Sequence, residues 1–267
     1  MKKIFMAISI LMISISCGEV FAQKDGFSLH LSGVFPNGKF REFDEKLGTD
    51  GYARMCALWN DKSITGAAGT GFGVGIKYQL SIISASNLRF LISTELMYNP
   101  LNGEAKEHFD KLDNIDNLSV ERTLSKYLNI PFMVGLNYSF AIKGKMKFYG
   151  ELGIGTNMRI VTYHPIDIIQ NGYDDIGNYY IENLQVDYRY DNALSFAYQI
   201  GGGFLFDRIN IGLYWYYLGS AKVEGNVDVL YEYAINGSIN THEDEKISFK
   251  WKELSTSMLT LKIGFHF

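Results

Sequence analysis

Four charged residues, Lys77, Glu95, Glu151 and Lys262, interrupt runs that otherwise alternate large apolar side chains with glycine or small polar ones. Each falls on the polar side of its run, and all four lie at a similar depth from the run's end. A charge held inside a closed, poorly hydrated barrel must be paired, because an isolated buried ion costs several kcal/mol. Two residues of each sign at one depth therefore predict a layer of ion pairs, with Arg89, Arg159, His30, His266, Gln79 and Gln199 above or below it. Such a layer acts either as a structural plug or as a proton path or gated pore for small solutes. The balance of sign favours the plug.

Other chemistry is weakly supported. A lipid-modifying site would need a histidine near the outer rim with a serine or acidic partner. His30 and His266 fall at the opposite end, while His108 and His242 lie in loops. Only His164 has a suitable height, and Pro165 follows it with no evident serine. Asp174-Asp175 and His242-Glu243-Asp244-Glu245 are oxygen-rich enough for Ca²⁺, but neither has the spacing of a recognised calcium loop, and solvated polar turns account for both. No glycine-rich phosphate loop, metal-spaced Cys/His set or nucleophile elbow is present, so the expectation is a non-enzymatic protein without cofactor or metal.

The elements that must place these residues are read from a period of two. From Ser257 to Phe267, Leu259, Leu261, Ile263, Phe265 and Phe267 share one face, and Met258, Thr260, Lys262, Gly264 and His266 share the other. A wholly apolar face opposite one bearing Lys and His suits lipid outside and a polar lumen inside. Equivalent alternation recurs at Phe27–Phe35, Gly71–Leu80, Leu88–Tyr98, Leu128–Phe140, Phe148–Ile160, Leu194–Phe206 and Ile209–Tyr217. These runs make eight antiparallel crossings of an all-β, up-and-down transmembrane barrel. Short links are expected at residues 82–87, 141–145 and 207–208, and long external ones at 36–70, 99–124, 161–192 and 220–255. The third long link keeps enough alternation to form a projecting hairpin, and in the fourth Asn236-Gly237 is a strong turn signal. Pro131, inside a strand, calls for a bulge. Tyr78, Tyr98, Tyr138, Trp215 and Tyr217 lie towards strand ends on the lipid side, where interfacial aromatics belong.

The N-terminus sets the compartment. Lys2-Lys3, an apolar run from Ile4 to Ile15, and Val20-Phe21-Ala22 have the order of a secretory signal, with cleavage after Ala22; Cys17-Gly18 leaves a lipoprotein alternative open. The barrel domain is then 23–267. Beyond the signal no stretch approaches the ~18 to 20 apolar residues of a membrane helix. Only Cys56 would remain in the mature chain, so no internal disulfide can form. A formal net charge of −4, which stays negative without Lys2, Lys3 and Glu19, argues against nucleic acid as a partner.

The run Tyr127-Leu128-Asn129-Ile130-Pro131 and the aromatic C-terminus resemble the small outer-membrane β-barrel domain family that includes PorT-like proteins and, more distantly, OmpA/OmpX-type barrels. That resemblance covers the barrel but not the loops. It implies a porin-like, multi-pass protein of the Gram-negative outer membrane, with both termini periplasmic. It also implies contact with outer-membrane lipid and lipopolysaccharide, and a C-terminal assembly signal of Ile263, Gly264, Phe265 and Phe267 read by the barrel-assembly machinery. The resemblance is nearly silent on activity. Three functions follow as expectations. The leading one is a plugged barrel whose loops serve interaction or adhesion, or which supports envelope assembly or secretion; the others are a small-solute channel and a lipid A-modifying enzyme.

Overall fold

Period-two alternation over runs long enough to pair produces an almost entirely antiparallel sheet in the computed structural model, which describes residues 26–43, 65–82, 87–113, 118–143 and 146–267. The expected signal segment 1–22, Cys17 and Cys56 lie outside these residues, as do most of the 82–87 link and Gly144-Lys145. The strands are β1 (Gly26–Asn37), β2 (Gly71–Ser81), β3 (Leu88–Asn99), β4 (Leu118–Arg122), β5 (Tyr127–Lys143), β6 (Met146–Val161), β7 (His164–Tyr173), β8 (Tyr179–Tyr190), β9 (Ala193–Phe206), β10 (Ile209–Ile235) and β11 (Ser238–His266). An α-helix, α1 (Gly103–Asp113), lies between β3 and β4, and a 3-10 turn spans Gly38–Phe40.

Eight of these strands close a ring in the order β1-β2-β3-β5-β6-β9-β10-β11, with β11 returning to β1. The closing seam pairs Ser28 with His266 and Asn37 with Ser257, so neither edge of the barrel is left open. This is the eight-stranded up-and-down transmembrane barrel. Its outer surface is exposed and apolar, as at Leu31, Phe72, Leu152, Leu194, Ile200 and Ile263, while Ser32, Lys77, Glu95, Glu151, Gln199 and Lys262 are buried inside. An apolar belt of this kind around a polar interior is stable only against hydrocarbon.

Aromatic side chains collect at both ends of the belt. At the end carrying the short turns, Tyr138, Phe140, Phe148, Phe204 and Phe206 form a chain of ring contacts, and Phe27, Phe267 and Phe265 form another. At the other end Phe72 meets Tyr98, and Tyr198 meets Phe196, Trp215 and Tyr217. Tyr78, paired with Phe27, belongs to the turn end.

The third long link is the projecting hairpin its alternation predicts, β7–β8, whereas the second, expected as a loop, holds α1 and β4. The fourth is not a loop: β10 and β11 run on past the barrel and meet at Asn236-Gly237, whose φ angles of 48° and 82° are those of a tight hairpin turn. Beyond the barrel, β11, β10, β8, β7 and β4 form a five-stranded projecting sheet. One face packs Ile166, Ile168, Val186, Tyr188 and Val227. The other carries a ladder of exposed ion pairs: Lys250 to Glu224 at 2.6 Å, Lys246 to Asp228 at 3.4 Å and Arg189 to Asp228 at 3.6 Å.

Pro131 is a second correction. The register from β5 to β3 is the same on either side of it, from Thr94–Phe132 to Met97–Asn129, so no bulge forms. The β5–β6 ladder continues through Pro131–Asn157. The missing N–H therefore faces β3, where the ladder skips Glu95 and Leu96.

Above the lumen lies a cap that the sequence did not foretell. Phe40, Ala67, Ala68, Leu101, Ala105, Phe109, Tyr127, Leu218 and Leu254 are fully or almost fully buried together. Backbone bonds knit the cap: Ala68 N–H to Phe40 O at 2.8 Å, Asn102 N–H to Ala67 O at 2.7 Å and Gly69 N–H to Pro100 O at 2.6 Å. Asn102 also accepts the Ala105 N–H at 2.9 Å, which caps α1 at its start.

Candidate functional site

The polar interior is built from side chains that period-two strands turn inward, and glycines on adjacent strands make the room. Glu95 of β3 stands opposite Gly75 of β2, which in turn stands opposite His30 of β1. A Cβ at Gly75 would collide with His30 Nε2 and lie 2.8 Å from the Thr94 carbonyl, so only glycine fits beneath this pair.

Two ion-pair centres result. In the first, Lys262 Nζ and the Ser32 hydroxyl donate to Glu95, and His30 Nε2 lies 3.3 Å from the same carboxylate. Lys262 also donates to the Tyr216 hydroxyl at 2.6 Å, which donates to Glu95 at 3.4 Å. In the second, Glu151 accepts from Lys77 at 2.5 Å, Asn137 at 2.8 Å and Gln79 at 3.4 Å. Tyr214 lies between the centres, its ring centroid 4.8 Å from Lys262 Nζ and 5.9 Å from Lys77 Nζ. Its hydroxyl donates to that of Tyr149 at 3.1 Å. The lumen cavities left around these groups measure only about 30 and about 10 Å³.

The structure thus brings Lys77, Glu95, Glu151 and Lys262 together as two pairs. Arg89 joins indirectly, donating to Gln79 at 3.2 Å. Arg159 does not join, which corrects its placement in the network. It sits beneath the cap and donates to the carbonyls of Leu254 and Ala221 and to Thr256 Oγ1, at 2.9, 3.0 and 3.2 Å. Strand depth alone could not separate Arg159 from the pairs, since its partners come from the β10–β11 crossing.

The other candidates take structural positions. His164 is buried on β7, where its Nδ1 accepts the Ser125 N–H at 3.2 Å and its ring faces Phe109 and Tyr188. The Ser125 hydroxyl donates to the Thr162 carbonyl instead. Burial, with the Arg122 charge nearby, depresses the His164 pKa to about 3. Enclosed in this way, and with Nδ1 already bonded to a backbone N–H, the imidazole is out of reach of the barrel's outer surface. His108 packs edge-on against Phe43, and His242 pairs with Glu232 at 3.1 Å. Asp174 spends its carboxylate on its own turn, accepting from Ile176 N–H, Asn178 N–H and Asn178 Nδ2. Among the described residues no group of three His, Cys, Asp or Glu could hold a metal ion. At the C-terminus, the Phe267 N–H donates to the Phe27 carbonyl at 2.8 Å, while its side chain stays largely exposed on the lipid side.

His164 has a pH consequence. Its folded pKa lies below the unfolded value of about 6.5, so its contribution is fully present above that pH and is lost as pH falls towards 3. The projecting sheet should weaken by on the order of 1 kcal/mol per pH unit across that window. Protease susceptibility of the β7–β8 hairpin, followed from pH 7 to pH 4, should rise in the wild type and rise less in His164→Leu. Equal rises in both would remove His164 from the account.

A closed transmembrane barrel with an ion-paired lumen, an apolar cap and a projecting sheet defines the class to which the chain belongs by fold. No protein-family model matches it, and no curated protein matches it. Among solved structures it is similar to a major outer membrane protein from Thermus thermophilus, at 8% identity and a TM-score of 0.40, over 92% of this chain and 100% of that one. It is also similar to Ail, the attachment invasion locus protein of Yersinia pestis, solved with the heparin analogue sucrose octasulfate. There identity is 11% and the TM-score 0.35, over 91% of this chain and 97% of that one.

Proposed function

We propose that this chain is a non-enzymatic protein of the bacterial outer membrane, closed to solutes, that presents its projecting sheet to a partner outside the cell or in the envelope. The observation that carries this proposal is the double closure of the lumen, by the ion-paired layer and by the apolar cap above it. Between them the cavities hold little more than a few waters. Short links at one end and elaborated ones at the other fit periplasmic termini and an external sheet. The belt then contacts membrane lipid and lipopolysaccharide, and the Ile263–Phe267 tail serves as the signal for the assembly machinery. The Tyr127–Pro131 run favours kinship with PorT-like barrels.

The projecting sheet supplies a means of recognition. The outer half of β11 pairs only with β10 among the described residues, leaving one edge of its backbone free. A free edge is a template for strand addition by another chain. The exposed Ile239 and Ile247 lie along it.

Planar-bilayer recording of purified wild-type protein tests the closed state. Expected is a silent membrane, with insertion verified by heat-modifiable gel mobility. Steady unitary currents from the same preparation would sink this function in favour of a small-solute channel.

A further inference from the structure

The lumen is not neutral. Five cations among the described inward-facing residues, Lys77, Arg89, Lys147, Arg159 and Lys262, stand against only two carboxylates, Glu95 and Glu151. Lys262 and Lys77 use both carboxylates. Arg159, at the capped end, is compensated by two carbonyls and a hydroxyl. Arg89 and Lys147 remain, and both line one cavity of about 30 Å³ at the end carrying the termini and the short turns. Among the described residues neither has a carboxylate within ion-pair distance, and the side-chain acceptor of Arg89 is the neutral amide oxygen of Gln79.

Apart from Leu205 and the Lys77–Glu151 pair at its inner end, the rest of the cavity wall is hydrogen-bonding and uncharged. Ser28, Asn137, Ser139, Asn210 and His266 contribute hydroxyls, amides and an imidazole. Of these, the Ser28 hydroxyl is bonded to His266 Nδ1 at 2.9 Å and the Asn137 amide to Glu151. Two cations facing one small polar space repel each other at low dielectric. An anion between them converts that repulsion into two charge-assisted contacts, one of them able to be bidentate through the guanidinium.

From this geometry we infer that the terminus-side mouth of the lumen is a binding site for a small oxyanion of the phosphate class, held by Arg89 and Lys147. The cavity admits a single anionic group and excludes an organic body, which must stay outside the mouth. Free phosphate and the phosphate of a lipid headgroup present the same chemistry there.

The test uses the full-length barrel folded in a neutral detergent, with thermal unfolding followed in sodium phosphate and in sodium chloride at matched ionic strength. Phosphate should raise the wild-type midpoint above chloride. Each of Arg89→Gln and Lys147→Gln should weaken the phosphate midpoint response about tenfold in concentration, and the double variant should abolish it. An independent readout guards against a folding defect: in buffer without multivalent anions, Lys147→Gln should raise the midpoint, because it relieves the repulsion. Equal midpoints in the two salts, with a short-chain phosphatidic acid monomer also without effect, would overturn the inference. So would a phosphate shift that survives in the double variant. A response to the phosphatidic acid alone would keep the site and assign its ligand to a lipid headgroup; a response to both would assign it to phosphate in either form.

Discussion

Glu151→Gln should lower the urea midpoint of the folded barrel, and adding Lys77→Met should restore most of the loss, whereas adding Lys262→Met should not. Glu151 sits at the back of a poorly hydrated space and accepts from Lys77, Asn137 and Gln79 through one oxygen. Removing its charge leaves Lys77 buried among ring faces, neutral groups and the cations Arg89, Lys147 and Lys262 that line the same cavities. Breaking such a pair from one side costs about 3 to 5 kcal/mol, while removing both charges can be nearly neutral. Lys262 belongs to the other centre, bonded to Glu95 and Tyr216, and its loss on top of Glu151→Gln would unpair Glu95 as well. Two double-mutant cycles decide the matter. Coupling should be large for Glu151 with Lys77 and for Glu95 with Lys262, and small for Glu151 with Lys262. Equal coupling across all combinations would mean one shared charge layer rather than two pairs.

That distinction marks how far the sequence reaches. Period two fixes which face a side chain takes, so Lys77, Glu95, Glu151 and Lys262 are assigned to the lumen from the chain alone, and their depth along each strand places them in one zone. Which carboxylate meets which lysine depends on position around the closed ring and on inter-strand register, and neither is encoded locally. Arg159 shows the same limit: its depth and face are legible, but its acceptors come from 62 and 95 residues away. The turn of the long β10–β11 projection is legible at Asn236-Gly237, but its continuity with the barrel strands is hidden for another reason. Register shifts between Tyr217 and Ser220 and between Lys222 and Glu224 break the alternation, and Gly219 takes a φ of 81°. A run that changes face midway reads as a barrel strand followed by a separate link. The cap is hidden because α1 is short and polar, buries only Ala105 and Phe109 among its described side chains, and gains its partners from Phe40, Leu101 and Tyr127 on distant segments.

Tyr127→Ala should detach the cap without opening a pore, and only its combination with Glu95→Ala and Lys262→Ala should let ions through. Tyr127 is wholly buried. Its hydroxyl donates to the Gly66 carbonyl at 2.5 Å and its ring meets Phe40 edge-on at 5.0 Å. Truncating so enclosed an aromatic costs about 3 to 5 kcal/mol, enough to release the 65–69 segment and Phe40 from the barrel mouth. Tyr127→Phe, which keeps the ring and leaves only the Gly66 carbonyl without its donor, should cost about 1 to 3 kcal/mol and leave the cap seated. Protease cleavage between Phe40 and Gly69 in detergent reads the cap, and planar-bilayer current reads the lumen. Beneath the cap the lumen still holds the Glu95–Lys262 and Glu151–Lys77 pairs with Tyr214 between them, so Tyr127→Ala alone should be cleaved rapidly yet carry no current. Removing one ion pair as well takes out the two longest charged side chains on the β3–β11 side of that layer, leaving His30, Ser32 and Tyr216, and brief conductance should appear. If Tyr127→Ala alone conducts, the apolar cap is the sole barrier and the ion pairs serve the barrel's stability only.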